Sequence, residues 1–500
     1  MKLLWLKRDL RLTDHLPLLR CATDGPFVVL YVYEPRMIAH PSYGSNQHSF
    51  LNEALNALEC ELKSHGGWLL RMHGAMPSVL SSIHACFPFT ELHSHMETGH
   101  ALSYARDKAV SRWCKKHSVV WVEAPTSDTF RPHPQREGWS RRWHNRASEP
   151  LVPSPVHMTF PKQDLFEQAV PEMTCDDFGL QAPAPSRQRL SDGSAEVLLK
   201  QFLRDQTGRY ATGMSSPLLA PDLCSRLSPH LALGLMSTRQ VLHRIRSVRR
   251  HIRNPKVVTC HKAFESRIVW RGHFMQRLED ETSIERHCLD PAVDDLRRPG
   301  VMHLGVRMTE AIIETRLNAW KTGTTGFPMV DACIRSLCET GWLNFRMRAM
   351  IVSFATYTLW LDWRLINDWL ARQFTDYEPG IHLNQLQMQS GSAGLNELRI
   401  YNPVRQIKTH DPDGIFVRKW VSELASASID QLTELGNPWV DPSELGLDYP
   451  KPIVDRIKAD RFALRTLTRV RKSPESRRAA KHNFNRLGSR RNRGPRRGRS

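Results

Sequence analysis

Apolar residues follow two different rhythms along this chain. Before residue 130 they form short continuous runs at 2–6, 27–33, 68–72, 91–94 and 119–123. The second run, FVVLYVY, is rich in β-branched and aromatic residues, as strands buried on both faces are. The intervening segments 45–64 and 99–117 carry amphipathic helical periodicity. Strands alternating with helices predict a doubly wound α/β domain over residues 1–130. No G-x-G-x-x-G follows the first strand, which argues against a dinucleotide site of that type. The segment 131–195 is rich in Pro, Ser and charge, and reads as a surface connector. Beyond residue 195 the helical period dominates and strand runs are absent. Helices are predicted at 196–206, 237–246, 262–277, 310–321, 329–340, 345–361 and 364–374, giving an all-helical domain over 196–445. A basic helical extension follows at 446–470. The stretch 471–500 has few apolar residues and reads as a disordered tail. No internal repeat is visible.

Composition refines this picture. Five hundred residues with 40% hydrophobic content suit two cores better than one. No apolar run reaches the length of a membrane span, and MKLLWLKRDLRL does not read as a secretory signal, so a cytoplasmic protein is expected, without membrane contact and as a monomer. Ten scattered cysteines without a C-x-x-C pair fit a reducing compartment. The net charge of +19 is uneven: residues 471–500 hold twelve Lys or Arg against Glu475. A basic surface favours polyanions, nucleic acid first; a solvated tail is the plainer alternative.

The segment 320–406 departs most from an ordinary helical core. Arg346, Arg348, Asp376, Glu378 and His382 recur among apolar and aromatic residues. Charges are rarely buried without partners, so this density points to a large polar cofactor inside the helical domain.

The same segment carries a motif series: Trp320, Thr325-Gly326, Pro328, Val330-Asp331-Ala332, Thr340-Gly341-Trp342, Arg346, Arg348, Asp362-Trp363-Arg364, Arg399-Ile400 and Asn402-Pro403. Two more blocks are CSRLSPHLALG from Cys224 and WLKRDLRLTD from Trp5. In this order they resemble the photolyase/cryptochrome flavoproteins over about residues 1–445. The resemblance implies bound FAD. Tyr210 and the segment Cys224, Ser225, Arg226, Leu227 and Ser228 then match the diphosphate contacts. Arg271, Trp342, Arg348, Asp376, Tyr377, Glu378 and His382 match contacts to the rest of the cofactor. Cys224 stands where the family usually has Thr, Glu378 where it has Asp, and His382 at the position facing flavin N5. Histidine can titrate near neutral pH, which the usual Asn cannot. The branch with an iron–sulfur cluster is disfavoured, since no cysteine follows Cys338, and no metal site is expected.

Electron supply and lesion pocket both depart from the family pattern. Trp363 matches the middle member of the three-tryptophan wire, while Leu386 and Glu310 occupy its two end positions. Trp270 matches a pocket tryptophan, and Arg346, Arg399 and Gln406 match DNA-proximal positions. Arg267 replaces a lesion-binding Glu, Met388 a second Trp, and Phe345 an Asn. The folate-contacting Glu of the antenna is Ser103, so a second chromophore is possible but of unknown identity. Two main readings stay open. One is light-driven repair of ultraviolet-damaged DNA, double- or single-stranded, with Trp363, His382 and Trp270 in catalytic roles. The other is a cryptochrome-like blue-light receptor. A light-independent flavoprotein that binds nucleic acid is a third.

Overall fold

A computed structural model describes residues 1–131 and 136–488, the side chains of 205–207 apart. Five parallel strands, β1 (Lys2–Trp5), β2 (Phe27–Tyr33), β3 (Leu69–His73), β4 (Glu91–His95) and β5 (Val120–Ala124), form a sheet of order β3-β2-β1-β4-β5. Side chains alternate between its faces. Leu3, Trp5, Val28, Leu30 and Met72 share one apolar cluster with Val79, Leu80 and Val110. Leu4, Phe27, Val29 and Tyr33 share the other with Leu51, Leu55, Leu58 and Leu62. Both faces are therefore buried, which explains the unbroken apolar runs. The chain reverses its winding direction between β1 and β4, and this places a crevice beyond their carboxyl ends.

The fold class agrees with the sequence pattern; several details correct it. The helices Leu16–Ala22, Met76–Cys86 and Trp139–Arg146 were not anticipated, the first two being short segments with Pro in the first turn. The connector is not confined to the surface. Trp143 is fully buried in a cluster with Leu199, Phe202 and Ile268, and Phe166 packs under the sheet.

In the helical half, the expected helix at 345–361 ends at Ser353 and continues as a π-turn, Phe354–Thr358. Trp360 then takes a left-handed φ of 57°. A small antiparallel pair, Met302–His303 with Val306–Arg307, corrects the expectation of no strands. The segment read as a disordered tail forms the helix Pro474–Leu487. Ser476, Asn483 and Leu487 are buried along one face, Ser476 bonds Asp290, and Asn483 Nδ2 donates to Leu289 O at 2.5 Å. Its anchor is mostly polar, so apolar periodicity did not reveal it. Residues 489–500 lie outside the described residues.

Candidate cofactor site

The site grows from four helical segments. The helix Pro255–Asp280 runs about 39 Å at 1.5 Å per residue and carries Arg267, Trp270 and Arg271. It is crossed by Pro379–Gln389, which follows the acidic loop at 376–378. The close crossing depends on Gly380, where a Cβ would sit 2.6 Å from Met275 Sδ and 3.0 Å from its Cα. The helix Phe345–Ser353 supplies Arg346 and Arg348. The fourth segment, 224–228, leads into the short helix Ser228–Ala232. Leu227 occupies the N-cap there, and Ser228 is the first helical residue.

Arg348 Nη2 donates to Asp376 Oδ2 at 2.8 Å, its Nε donates to Leu343 O at 2.6 Å, and its guanidinium lies 3.9 Å over the Phe374 ring. Asp376 Oδ1 is buried and has no partner. Arg226 lies 4.1 Å over the Trp342 ring. Among the described residues no carboxylate comes within ion-pair distance of it. Burial pushes its guanidinium down to about 10, against the pull of Asp376. Arg226 also holds a left-handed φ of 54°, a strained conformation of the kind that gathers at ligand clamps. An unneutralised cation at one end and an unpaired carboxylate oxygen at the other fit an anionic group and a ring N–H. FAD offers both, in its diphosphate and its isoalloxazine edge.

Glu378 and Arg271 have protein partners of their own. They bond each other, with Arg271 Nε on Glu378 Oε2 at 3.0 Å, and Arg271 also pairs with Asp128. Burial alone would depress the Arg271 pKa, but Asp128 and Glu378 outweigh it and hold the cation firmly charged. The structure thus closes this trio on itself. Asp128 had no sequence signal, because it sits in an irregular segment remote from the motif series.

His382 Nε2 lies 3.3 Å from Asn367 O, so this nitrogen carries the proton and Nδ1 keeps the lone pair. Burial pushes the ring down to about 3. It is neutral at physiological pH, which corrects the expectation of a residue titrating there. Tyr377 contacts the His382 ring edge-on at 5.2 Å and bonds His100 Nε2 at 2.9 Å. Tyr210 is buried against Phe202 and Phe264, and Cys224 and Ser225 are partly exposed beside it in the fold.

Around this site lies an open aromatic and cationic surface. Trp270 is 39% exposed, edge-on to His273 and tilted against Phe274, and is not a core residue. The Arg267 guanidinium rides 5.0 Å above Phe345, which is 47% exposed. Arg399 is exposed, Arg346 has a buried Nε without a partner, and Gln406 is buried with Oε1 unpaired. Deeper in, Trp363 is buried and its Nε1–H points at Cys288 Sγ at 3.3 Å. Trp360 lies under Arg297 at 4.8 Å, and among the described residues that guanidinium bonds the Thr356 and Ser390 carbonyls and has no carboxylate at ion-pair distance. Leu386 is buried and Glu310 exposed.

A separate cavity occupies the crevice beyond β1 and β4, lined by Lys7, Arg8, Glu97, Ser103 and Arg106, and reaching Tyr377 and Pro379 of the helical half. No helix among the described residues is long and apolar enough to cross a membrane.

Comparison with known proteins bears on both halves. Residues 2–136 match the family model described as DNA photolyase, and 264–469 that of the FAD binding domain of DNA photolyase. A deoxyribodipyrimidine photo-lyase of Streptomyces griseus is 28% identical over 90% of this chain and 95% of its own length. A cryptochrome DASH of Gloeobacter violaceus is 26% identical over 91% and 93%. The crystal structure of a bacterial class III photolyase from Agrobacterium tumefaciens is 25% identical, with a TM-score of 0.76 over 94% of this chain and 98% of that one. Both halves, matched in sequence and in fold, place the chain in the photolyase/cryptochrome family, with a parallel-sheet domain joined to the family's helical FAD-binding domain.

Proposed function

We propose that this protein repairs ultraviolet-induced pyrimidine dimers in DNA by light-driven electron transfer from FAD. Bound in fully reduced form, FAD would supply the photoexcited electron that splits the dimer. The observation carrying this reading is the exposed Trp270–Arg267–Phe345 surface. It lies on the same helices as Arg271, Arg346 and Arg348. A dimer is already poorly stacked, which lowers the cost of flipping it out of the duplex. Trp270 and Phe345 offer faces on which such a base pair can stack. Arg267, Arg346 and Arg399 supply cations for the flanking phosphates, and Gln406 Oε1 an acceptor for a base edge.

Within the cofactor site, Arg226 and the segment 224–228 with Tyr210 hold the diphosphate. Arg348 orients Asp376, whose Oδ1 accepts from the ring edge, and Trp342 packs beside them. Arg271, Glu378 and Tyr377 fix the loop that carries Asp376. Neutral His382 offers only a lone pair at Nδ1, so it accepts a proton-bearing group and donates none. Trp363 relays electrons from outside: both rings lie beneath an arginine, but Arg364 over Trp363 is paired with Asp294 and Asp362, whereas Arg297 over Trp360 bonds only carbonyls and opposes a positive charge on that ring more strongly.

A second reading, a cryptochrome-like photoreceptor, is favoured by Leu386 and Glu310 in the wire positions and by Arg267 and Met388 in the pocket. The deciding experiment illuminates the reduced protein with oligonucleotides carrying either a cyclobutane dimer or a (6-4) photoproduct. Restoration of one lesion supports repair. Restoration of neither, with flavin photoreduction intact, moves the assignment to the receptor. The α/β crevice is our candidate for a second chromophore.

A further inference from the structure

Among the described residues, two clusters bring three histidine or carboxylate ligand atoms within 4.8 Å of one another: Asp9, His15 and His95, and His40, His100 and Glu285. Burial and access separate them: the first is buried throughout, the second only partly. In the first, His15 Nδ1 accepts the Leu18 N–H at 3.0 Å, so its Nε2 carries the proton, 3.0 Å from Asp9 Oδ2. His95 Nδ1 reaches the same oxygen at 2.7 Å, and all three side chains are buried. This is a closed, buried triad with no entry path.

The second cluster is reachable from outside. His100 Nδ1 lies 3.1 Å and His40 Nε2 3.6 Å from the same oxygen, Glu285 Oε1. A tetrahedral ion with bonds of 2.0–2.1 Å has ligand–ligand edges of about 3.4 Å, between those two distances. The far nitrogens are both occupied by oxygens. His40 Nδ1 is 2.7 Å from Ser42 Oγ, and His100 Nε2 is 3.1 Å from the same hydroxyl and 2.9 Å from Tyr377 Oη. Such outer partners fix ring orientation and tautomer in metal sites. The Ser42 N–H also donates to His40 Nδ1 at 3.3 Å, so an ion at Nε2 requires the ring proton to move to Nδ1, where Ser42 Oγ accepts it. Glu285 Oε2 is held by the Ala101 N–H at 2.9 Å. The two imidazoles are stacked, centroids 4.0 Å apart, and have only to splay to share an ion. Side-chain exposures of 20%, 13% and 13% for His40, His100 and Glu285 leave a way in.

We propose that His40, His100 and Glu285 form a divalent transition-metal site of the zinc type. The site has three protein ligands and one open position. It joins the two halves of the molecule: His40 and His100 follow β2 and β4, whereas Glu285 belongs to the helical half just beyond Pro255–Asp280. His40 and His100 also line the α/β crevice, so the open position faces a space that could admit water or a ligand atom. The inference does not depend on what the flavin does.

The test titrates chelator-stripped full-length protein with Zn2+ by calorimetry, and with Co2+ by visible absorption. One ion per chain is expected, with Co2+ bands of four- or five-coordinate intensity and a Zn2+-dependent rise in Tm. Glu285→Gln with His40→Ala should abolish all three. Ser42→Ala keeps every ligand and should weaken binding roughly tenfold. Asp9→Asn should leave affinity unchanged. Absence of saturable one-to-one binding by the stripped wild type overturns the proposal. So does binding that survives the double variant, or one lost in Asp9→Asn alone. Retained flavin absorbance and cooperative melting establish that each variant is folded.

Discussion

Two arginine–carboxylate groups stand two residues apart in the acidic loop and have opposite characters. Arg271 is satisfied by Glu378 and Asp128 together, and its side chain is 12% exposed. Arg348 meets Asp376 through one oxygen, its side chain is 28% exposed, and Asp376 Oδ1 is left without a partner. The same chemical pair serves as a strut where every valence is closed, and as a grip where one is kept open. Burial and completeness of pairing distinguish them, and residue type does not.

The sharpest way to break this comparison is Arg271→Ala. It strands Glu378 and Asp128 in a buried setting and should cost about 3–5 kcal/mol of stability. Thermal melting checks it, and a change below 1 kcal/mol would show that the trio is not a strut. Asp376→Ala comes next. Arg348 keeps Leu343 O and partial solvent, so the fold should survive. Losing a charge-assisted contact of about 1.5–3 kcal/mol should weaken FAD roughly ten- to hundredfold. Flavin retention through desalting reads this, and full occupancy would refute the grip. Trp363→Phe should then slow flavin photoreduction more than Trp360→Phe does. The reverse order would assign the relay to Trp360.

Smaller effects concern His382 and the basic terminus. The folded pKa of His382 is depressed, from 6.5 to about 3. Its contribution is therefore complete above pH 6.5 and is lost as pH falls from there toward 3. Tm measured from pH 8 to pH 5 should fall less in His382→Asn than in the wild type, and identical slopes would mean the ring titrates freely. Deleting residues 489–500 removes six arginines and leaves the packed helix Pro474–Leu487 in place. The salt dependence of DNA binding should flatten by about 0.9 in log–log slope for each phosphate lost. An unchanged slope would exclude phosphate contacts by this segment.

The architecture was legible because buried parallel strands and amphipathic helices write their periods into the sequence. FVVLYVY and the helix Ser45–Ser64 could be placed to the residue. Arg348 and Asp376 stood out, with Arg346, Glu378 and His382, as ionisable residues in an apolar, aromatic segment, and the family resemblance marked both as cofactor contacts. Helix Pro474–Leu487 escaped notice because Ser476 and Asn483 anchor it through hydrogen bonds, and polar anchors leave no hydrophobic rhythm.

Taken alone, the sequence determined the order of elements, the division into a sheet domain and a helical domain, and the polar residues that could not be left unpartnered. Only the tertiary structure decided the pairings. Asp128 reaches Arg271 across 143 positions, and Glu285 reaches His100 across 185. Periodicity is a local property, carried by backbone geometry over a few residues. Which donor meets which acceptor is fixed by packing between distant segments, and the linear order of residues carries no signal for it.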